Sequence, residues 1–346
     1  MQKVIYLSEL RMKRFFCFSI CVLMTVISLA QQHRALLVGV ANYPDDSGWR
    51  KINSDNDISL LTDLLKDNYI IESIVDEKAT CSNIKKELSR LEDSTDVGDT
   101  IIISFSCHGQ QMIAKGTEEP DSLDEALVPY DAKLMESEFY HGENHLRDNE
   151  LSVELSRIRK KAGATGFVLI LLDACHSGDS FRGENDKSKE KYYRGSDTIF
   201  GSEDSKKRVL RKEKKNVKLD KSKCEANIVY ISACQSHQTN EEKRADSGIW
   251  YGSLCYAFSE AYRSNKLQNI VQLCLDIKES VMNNNKWSRQ CPEFASSITL
   301  NIERNDIDQV SESIGQESND KENLIVCCTI FFVFLIMIAV LLWKKK

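Results

Sequence analysis

Along the chain, short unbroken apolar runs alternate with stretches whose apolar residues recur every three or four positions. The run "RALLVGVANY" from Arg34 ends in a turn and predicts a buried parallel strand. "SDNDISLLTDLLKDN" follows, with Ile58, Leu61, Leu64 and Leu65 on one helical face and Asp55 or a neighbour placed to cap its start. "YIIESIVDEKAT" predicts a second strand, and "CSNIKKELSRLEDS" a helix striped by Ile84, Leu88 and Leu91. "DTIIISFSCHGQ" predicts a third strand that turns at Gly109. "NELSVELSRIRKKAG" predicts a helix closed by Gly163. "FVLILLDACHSG" and "NIVYISACQ" predict the fourth and fifth strands. Helices near Tyr251 to Tyr262 and Leu267 to Met282 follow, and "SSITLNI" predicts a last strand. Strands alternating with helices predict an α/β fold with a mostly parallel sheet of about six strands and helices on both faces. In such sheets a site lies beyond the carboxyl ends of the strands. The small, polar turns "SCHG" and "DACHSG" both stand there.

Both ends of the chain are apolar and suggest a topology. Lys13 and Arg14 precede the apolar run Phe15 to Ile27, and "SLA" at Ser28 to Ala30 has the small-x-small form of a cleavage site. Residues 1–30 are therefore expected to be a signal peptide, with an uncleaved anchor as the alternative. Leu324 to Trp343 carries no charge and, at ~1.5 Å per residue, spans ~30 Å, enough for a transmembrane helix. Lys344 to Lys346 would form a basic cytoplasmic tail. A polar stalk over 306–323 would then join the helix to one globular domain over 31–305. The expectation is a single-pass membrane protein with its domain outside the cytoplasm, held by the C-terminal helix.

Composition narrows the chemistry. A net charge of −6 is mild and points to no nucleic-acid partner. Of twelve cysteines, Cys17, Cys21, Cys327 and Cys328 lie in the apolar ends. The remaining eight are too sparse for a disulfide scaffold, and Cys107, Cys234, Cys255 and Cys274 sit in apolar runs as buried thiols do. The longest irregular stretch, about 181–226, separates the fourth and fifth strands. Within it, Lys206 to Lys218 holds eight basic residues and one acid.

The stretch "LLDACHSGDSF" puts Asp173, Cys175 and His176 close in sequence. A cysteine attacks as its thiolate and needs an imidazole to take its proton. Neighbours on a strand point to opposite faces, so His176 is badly placed for Cys175. The same geometry weakens a zinc reading of the two Cys-His pairs. Across strands the pairing improves. His108 ends the third strand and Cys175 the fourth, and adjacent strands lie ~4.8 Å apart. The amides of Gly109 and Cys175 could then form an oxyanion hole, with Ser177 and Gly178 keeping the next turn small and open.

"SCHGQ" with "DACHSG" resembles the caspase-like cysteine peptidases, in their metacaspase form, and the resemblance extends through "ISACQSHQTNEE" to "WYGSLCYAF". It implies a three-layer caspase-like sandwich, Cys175 as nucleophile and His108 as general base and then acid. It also implies polypeptide substrates with Arg or Lys before the scissile bond, the P1 position, held by Asp57, Ser106 and Asp173. Without that resemblance, Asp57 also suits a helix start and Asp173 a satisfied strand end. Calcium is left open. The resemblance places its ligands near Glu118 to Ala132 and at a later acid, but Arg182 stands about where that acid is expected and Asp179 is displaced. The basic loop occupies the place where the family separates its large and small parts, so self-processing near Arg208, Arg211 or Lys215 is expected. Cys234 matches a recurrent second cysteine. The alternatives are a catalytically idle binding or assembly module, and a peptidase selecting an acidic residue or Asn.

Overall fold

The computed structural model describes residues 31–114, 123–175, 192–196, 198–202, 224–235, 238–284 and 290–300. Six strands form one sheet: β1 (His33–Gly39), β2 (Ile70–Val75), β3 (Thr100–Ser106), β7 (Phe167–Asp173), β8 (Asn227–Ser232) and β11 (Glu293–Ser296). Their order is β11-β8-β7-β3-β1-β2. All pairings are parallel except that of β11 with β8. The four inner strands are nearly continuous apolar runs because both faces are covered.

One face is covered by α2 (Cys81–Ser94) and α3 (Asp148–Ala162), where Ile84, Leu88, Leu151 and Leu155 meet Leu36, Ile103 and Ile170. The other is covered by α1 (Ser54–Leu65), α4 (Ser253–Asn265) and α5 (Ile270–Asn284), with Leu61, Phe258 and Leu273 against Leu37, Ile102 and Leu169. The alternating side chains of one strand thus feed two cores, as the strand repeat requires. This is the expected α/β sandwich with helices on both faces.

Several local expectations differ from the fold. The third strand stops at Ser106. After Cys107 the chain enters a separate antiparallel sheet of β4 (His108–Ile113), β5 (Leu123–Val128) and β6 (Leu146–Arg147). A small hairpin of β9 (Lys243–Arg244) and β10 (Trp250–Tyr251) was not foreseen. The last strand comes earlier than "SSITLNI", at Glu293–Ser296. No side chain caps α1; the Asn53 side chain instead donates to Glu242 at 2.5 Å.

The expectation of a single-pass membrane protein needs correction. Among the described residues no helix is long and apolar enough to cross a bilayer. The longest have 15 residues, about 22 Å at 1.5 Å per residue, short of a ~30 Å hydrocarbon core. The signal segment 1–30, the stalk 306–323, the apolar segment 324–343 and the tail 344–346 lie outside the described residues.

Candidate active site

The parallel register of β3 and β7 pairs Ser106 with Asp173 at the carboxyl end of the sheet. His108 and Cys175 each follow that matched pair by two residues, and both are buried. Both residues thus follow the carboxyl ends of adjacent, in-register strands, although His108 already belongs to β4. His176, Ser177, Gly178, Asp179 and Arg182 lie outside the described residues.

The His108 ring is fixed from three sides. Trp49 stacks on it at 4.9 Å, and Tyr43 tilts against it at 5.2 Å. Nε2 lies 2.9 Å from the Arg50 carbonyl. A carbonyl only accepts, so Nε2 carries the proton and Nδ1 holds the free lone pair. Nδ1 is buried without a hydrogen-bond partner. Burial depresses the ring's pKa to about 4, only partly offset by the Arg50 carbonyl. The imidazole is therefore neutral at pH 7, with an unengaged base nitrogen. The backbone N–H of His108 donates to the Tyr43 hydroxyl at 3.0 Å, and that hydroxyl donates to the Val128 carbonyl at 2.9 Å.

The Cys175 thiol donates to the Gln238 carbonyl at 2.7 Å. Cys234 shares that acceptor at 3.6 Å. Contact with Cys175, followed by burial, holds the Cys234 thiol well above its ordinary pKa. Gly109 lies on β4, whose Gln111 carbonyl and Ile113 amide bond outward to Phe200. Alternate residues of an antiparallel strand direct their amides to the same side, so the Gly109 N–H faces that outer edge.

Asp57, Ser106 and Asp173 do converge, and they are occupied. Arg194, fully buried, places its guanidinium among them. Its Nη2 is 2.7 Å from Asp57 Oδ2, and its Nη1 donates to Ser106 Oγ at 2.7 Å and to the Asp173 carbonyl at 3.2 Å. The Asp173 carboxylate is 3.6 Å from Nη1. Glu242 accepts from Nε at 3.1 Å and Nη2 at 2.9 Å. The acids are themselves held in place. Gly252 N–H donates to Asp57 and Cys255 N–H to Asp173, while Asn240 donates its side-chain amide to Asp173. Burial raises Asp57 to about 7 against the pull of Arg194, and repulsion from Asp173 adds to the rise. A Cβ on Gly252 would fall on the Asp173 carboxylate and 2.7 Å from Arg194 Nη1, so only glycine leaves the pocket open.

Sequence reading missed Arg194, Asn240, Glu242 and Gly252. For Arg194 the one available signal was the "RG" dipeptide inside the stretch expected to be a linker, whereas Asn240, Glu242 and Gly252 lie in "ISACQSHQTNEE" and "WYGSLCYAF", which carried the resemblance without any role for them.

Of the stretch expected to supply calcium ligands, Glu118, Glu119 and Asp121 lie outside the described residues. Asp124 is paired with Arg147 in a buried salt bridge, and Asp131 accepts the Cys81 amide at 2.9 Å. The one close group of ligand-type side chains there is Asp57, Asp173 and Cys255. It contains a thiol and encloses a guanidinium, whereas calcium takes six to eight oxygens.

The profile of the caspase domain, peptidase family C14, matches residues 32–302. The chain belongs to that family. Metacaspase-1 of Emericella nidulans is 25% identical over 310 residues, covering 78% of this chain and 72% of that protein. Metacaspase-4 of Arabidopsis thaliana is 27% identical over 168 residues, which are 45% of this chain but 35% of the plant protein's length. A solved protein from Geobacter sulfurreducens superposes with a TM-score of 0.51 at 21% identity, covering 78% of this chain and 94% of that one. That likeness supports the fold of this caspase-domain protein.

Proposed function

We propose that this caspase-domain protein is a cysteine endopeptidase that cleaves polypeptides after arginine or lysine. The observation that carries the reading is the buried guanidinium held by Asp57, Ser106, Asp173 and Glu242, beside a cysteine and a neutral histidine. An acidic P1 side chain would meet three carboxylates at close range and be repelled.

The chemistry follows from the side chains. Cys175 leaves the Gln238 carbonyl, gives its proton to His108 Nδ1 and attacks the carbonyl carbon after the basic residue. The Arg50 carbonyl accepts Nε2–H and so stabilises the imidazolium that forms. The Gly109 and Cys175 amides stabilise the oxyanion. His108 returns the proton to the leaving amine, and water then hydrolyses the thioester. The same specificity allows the protein to process its own chain.

The test is hydrolysis of peptides with Arg, Lys, Asp or Asn at P1, by the parent and by Cys175→Ala, His108→Ala and His176→Ala. Arg and Lys peptides should be cut, and the first two variants should lose at least a hundredfold in kcat/KM. Equal turnover by Cys175→Ala would overturn the mechanism. Loss through His176→Ala alone would overturn the pairing with His108.

A further inference from the structure

We propose that Trp250 forms a second specificity site, which takes an aromatic side chain of the substrate two residues before the basic one, at the position called P3. This rests on the reading of Asp57, Ser106, Asp173 and Glu242 as the pocket for a basic P1. Arg208, Arg211 and Lys215 lie outside the described residues, whereas Arg194 fills that pocket. The chain that leads into Arg194 therefore marks the path of a peptide whose basic side chain sits there.

Three observations carry the inference. The first is the backbone. The Arg194 N–H donates to the Asn240 carbonyl at 3.0 Å, and the Glu242 N–H donates to the Tyr192 carbonyl at 2.9 Å. Tyr193 forms an antiparallel bridge to Glu241 between them. These bonds use main-chain groups alone, so they are open to any peptide that adds itself as a strand along this edge. They also fix the register. P1 stands at Arg194, P2 at Tyr193 and P3 at Tyr192.

The second observation is a match of spacing. Side chains alternate along an extended strand, so those of P1 and P3 share one face. At P1, Gly252 lies against the guanidinium, where a Cβ would stand 2.7 Å from Arg194 Nη1. At P3, Trp250 meets the Tyr192 ring, with centroids 5.3 Å apart and planes at 68°. The two-residue step from P1 to P3 is thus answered by the two-residue step from Gly252 to Trp250. Packing of one loop on another accounts for a ring contact, but not for its register with the P1 pocket.

The third observation is that the indole is held in place by groups outside the bound segment. The Trp250 carbonyl accepts from the Asn56 side chain at 3.0 Å, which ties β10 to the start of α1 beside Asp57. Across the hairpin, Arg244 pairs with Trp250 and sets its guanidinium 5.9 Å from the ring centre. Trp250 therefore offers a fixed aromatic surface, and the edge-to-face arrangement with Tyr192 is a favoured geometry for a second ring.

The test is hydrolysis, by the full chain, of peptides with Arg at P1 that differ only at P3, where they carry Tyr, Phe, Leu or Ala. kcat/KM for Tyr and Phe peptides should exceed that for the Ala peptide by about tenfold, chiefly through KM, with Leu between them. In Trp250→Ala the ratio of Tyr to Ala peptide should fall below about twofold, and in Trp250→Phe, which keeps a ring, it should stay at about threefold or more. The peptide series in the parent decides the matter even where Trp250→Ala does not fold. Equal rates for Tyr and Ala peptides overturn this inference and leave the proposed function standing. A Leu peptide cut as well as the Tyr peptide would show apolar burial without ring recognition, and also overturns it. So does a preference that survives unchanged in Trp250→Ala, which would put the site elsewhere. A chain that cuts no Arg or Lys peptide overturns both readings.

Discussion

Arg194 Nη2 and Asp57 Oδ2 stand 2.7 Å apart with neither side chain exposed, although 137 positions separate them in sequence. Removing one member of a buried pair leaves the other charge unpaired, at a cost of about 3–5 kcal/mol. Asp57→Asn is therefore expected to lower the denaturant midpoint of the uncut chain and to reduce kcat/KM for Arg peptides at least a hundredfold. Urea unfolding and peptide kinetics check both. A variant as stable and as active as the parent would show that Asp57 does not hold the basic side chain.

Gly252→Ala tests the pocket by volume rather than charge. The added methyl has no space beside the Asp173 carboxylate and the guanidinium. KM for Arg peptides is expected to rise about tenfold or more, with a smaller change in kcat, because binding is blocked while Cys175 and His108 are untouched. Unchanged KM would mean that substrate binds elsewhere.

The sandwich was legible because β1, β3 and β7 are apolar enough to be buried on both faces, and because the helices keep their stripes. The positions of His108 and Cys175 were legible because each follows by two residues the end of a strand, and those strands pair in register. Other features were not. β4 was not foreseen, since a turn was expected at Gly109 and nothing in "SCHGQQMI" marks a second sheet that starts at His108. Arg194 lies in a short polar segment without periodicity, and its burial depends wholly on acids distant in sequence. Residues such as Glu242 and Gly252 acquire meaning only once that segment is seen to cross the strand ends.

Tyr43 holds the histidine at the end of the second sheet, its hydroxyl bridging the His108 amide of β4 and the Val128 carbonyl of β5. Tyr43→Phe keeps the ring contact but leaves two buried polar groups unsatisfied, at about 1–3 kcal/mol each. The variant should lose stability in urea and show a lower kcat at nearly unchanged KM. A kcat equal to the parent's would show that this tether does not position His108.

His108 also sets a pH dependence. Its pKa falls from 6.5 to about 4 on folding. Between those values the unfolded chain binds the proton and the folded one does not, so stability rises with pH across the window. This contribution, up to about 3 kcal/mol, is fully present above pH 6.5 and is lost as the pH falls to 4. In a Cys175→Ala background, which prevents cleavage, unfolding free energy should drop more steeply from pH 6.5 to 4 than in Cys175→Ala with His108→Gln. Parallel profiles would contradict the buried, neutral ring.

Under the proposed function, Glu242 is expected to distinguish arginine from lysine. It accepts from both Nε and Nη2 of Arg194, and a lysine offers a single ammonium in place of that planar fork. Loss of one charge-assisted hydrogen bond costs about 1.5–3 kcal/mol, so kcat/KM for Arg peptides should exceed that for Lys peptides by about tenfold or more. Glu242→Gln keeps one carbonyl acceptor and removes the charge. It should lower turnover of both peptides and narrow the ratio between them, because the lost term is larger for the fork. The variant also weakens the tie to Asn53, whose backbone N–H donates to the same carboxylate at 2.9 Å, so a loss of stability is expected alongside. The ratio separates the two effects. General loosening of the start of α1 lowers both rates in proportion, whereas loss of the fork lowers the Arg rate more. A ratio unchanged in Glu242→Gln would assign the preference to Asp57 and Asp173 alone.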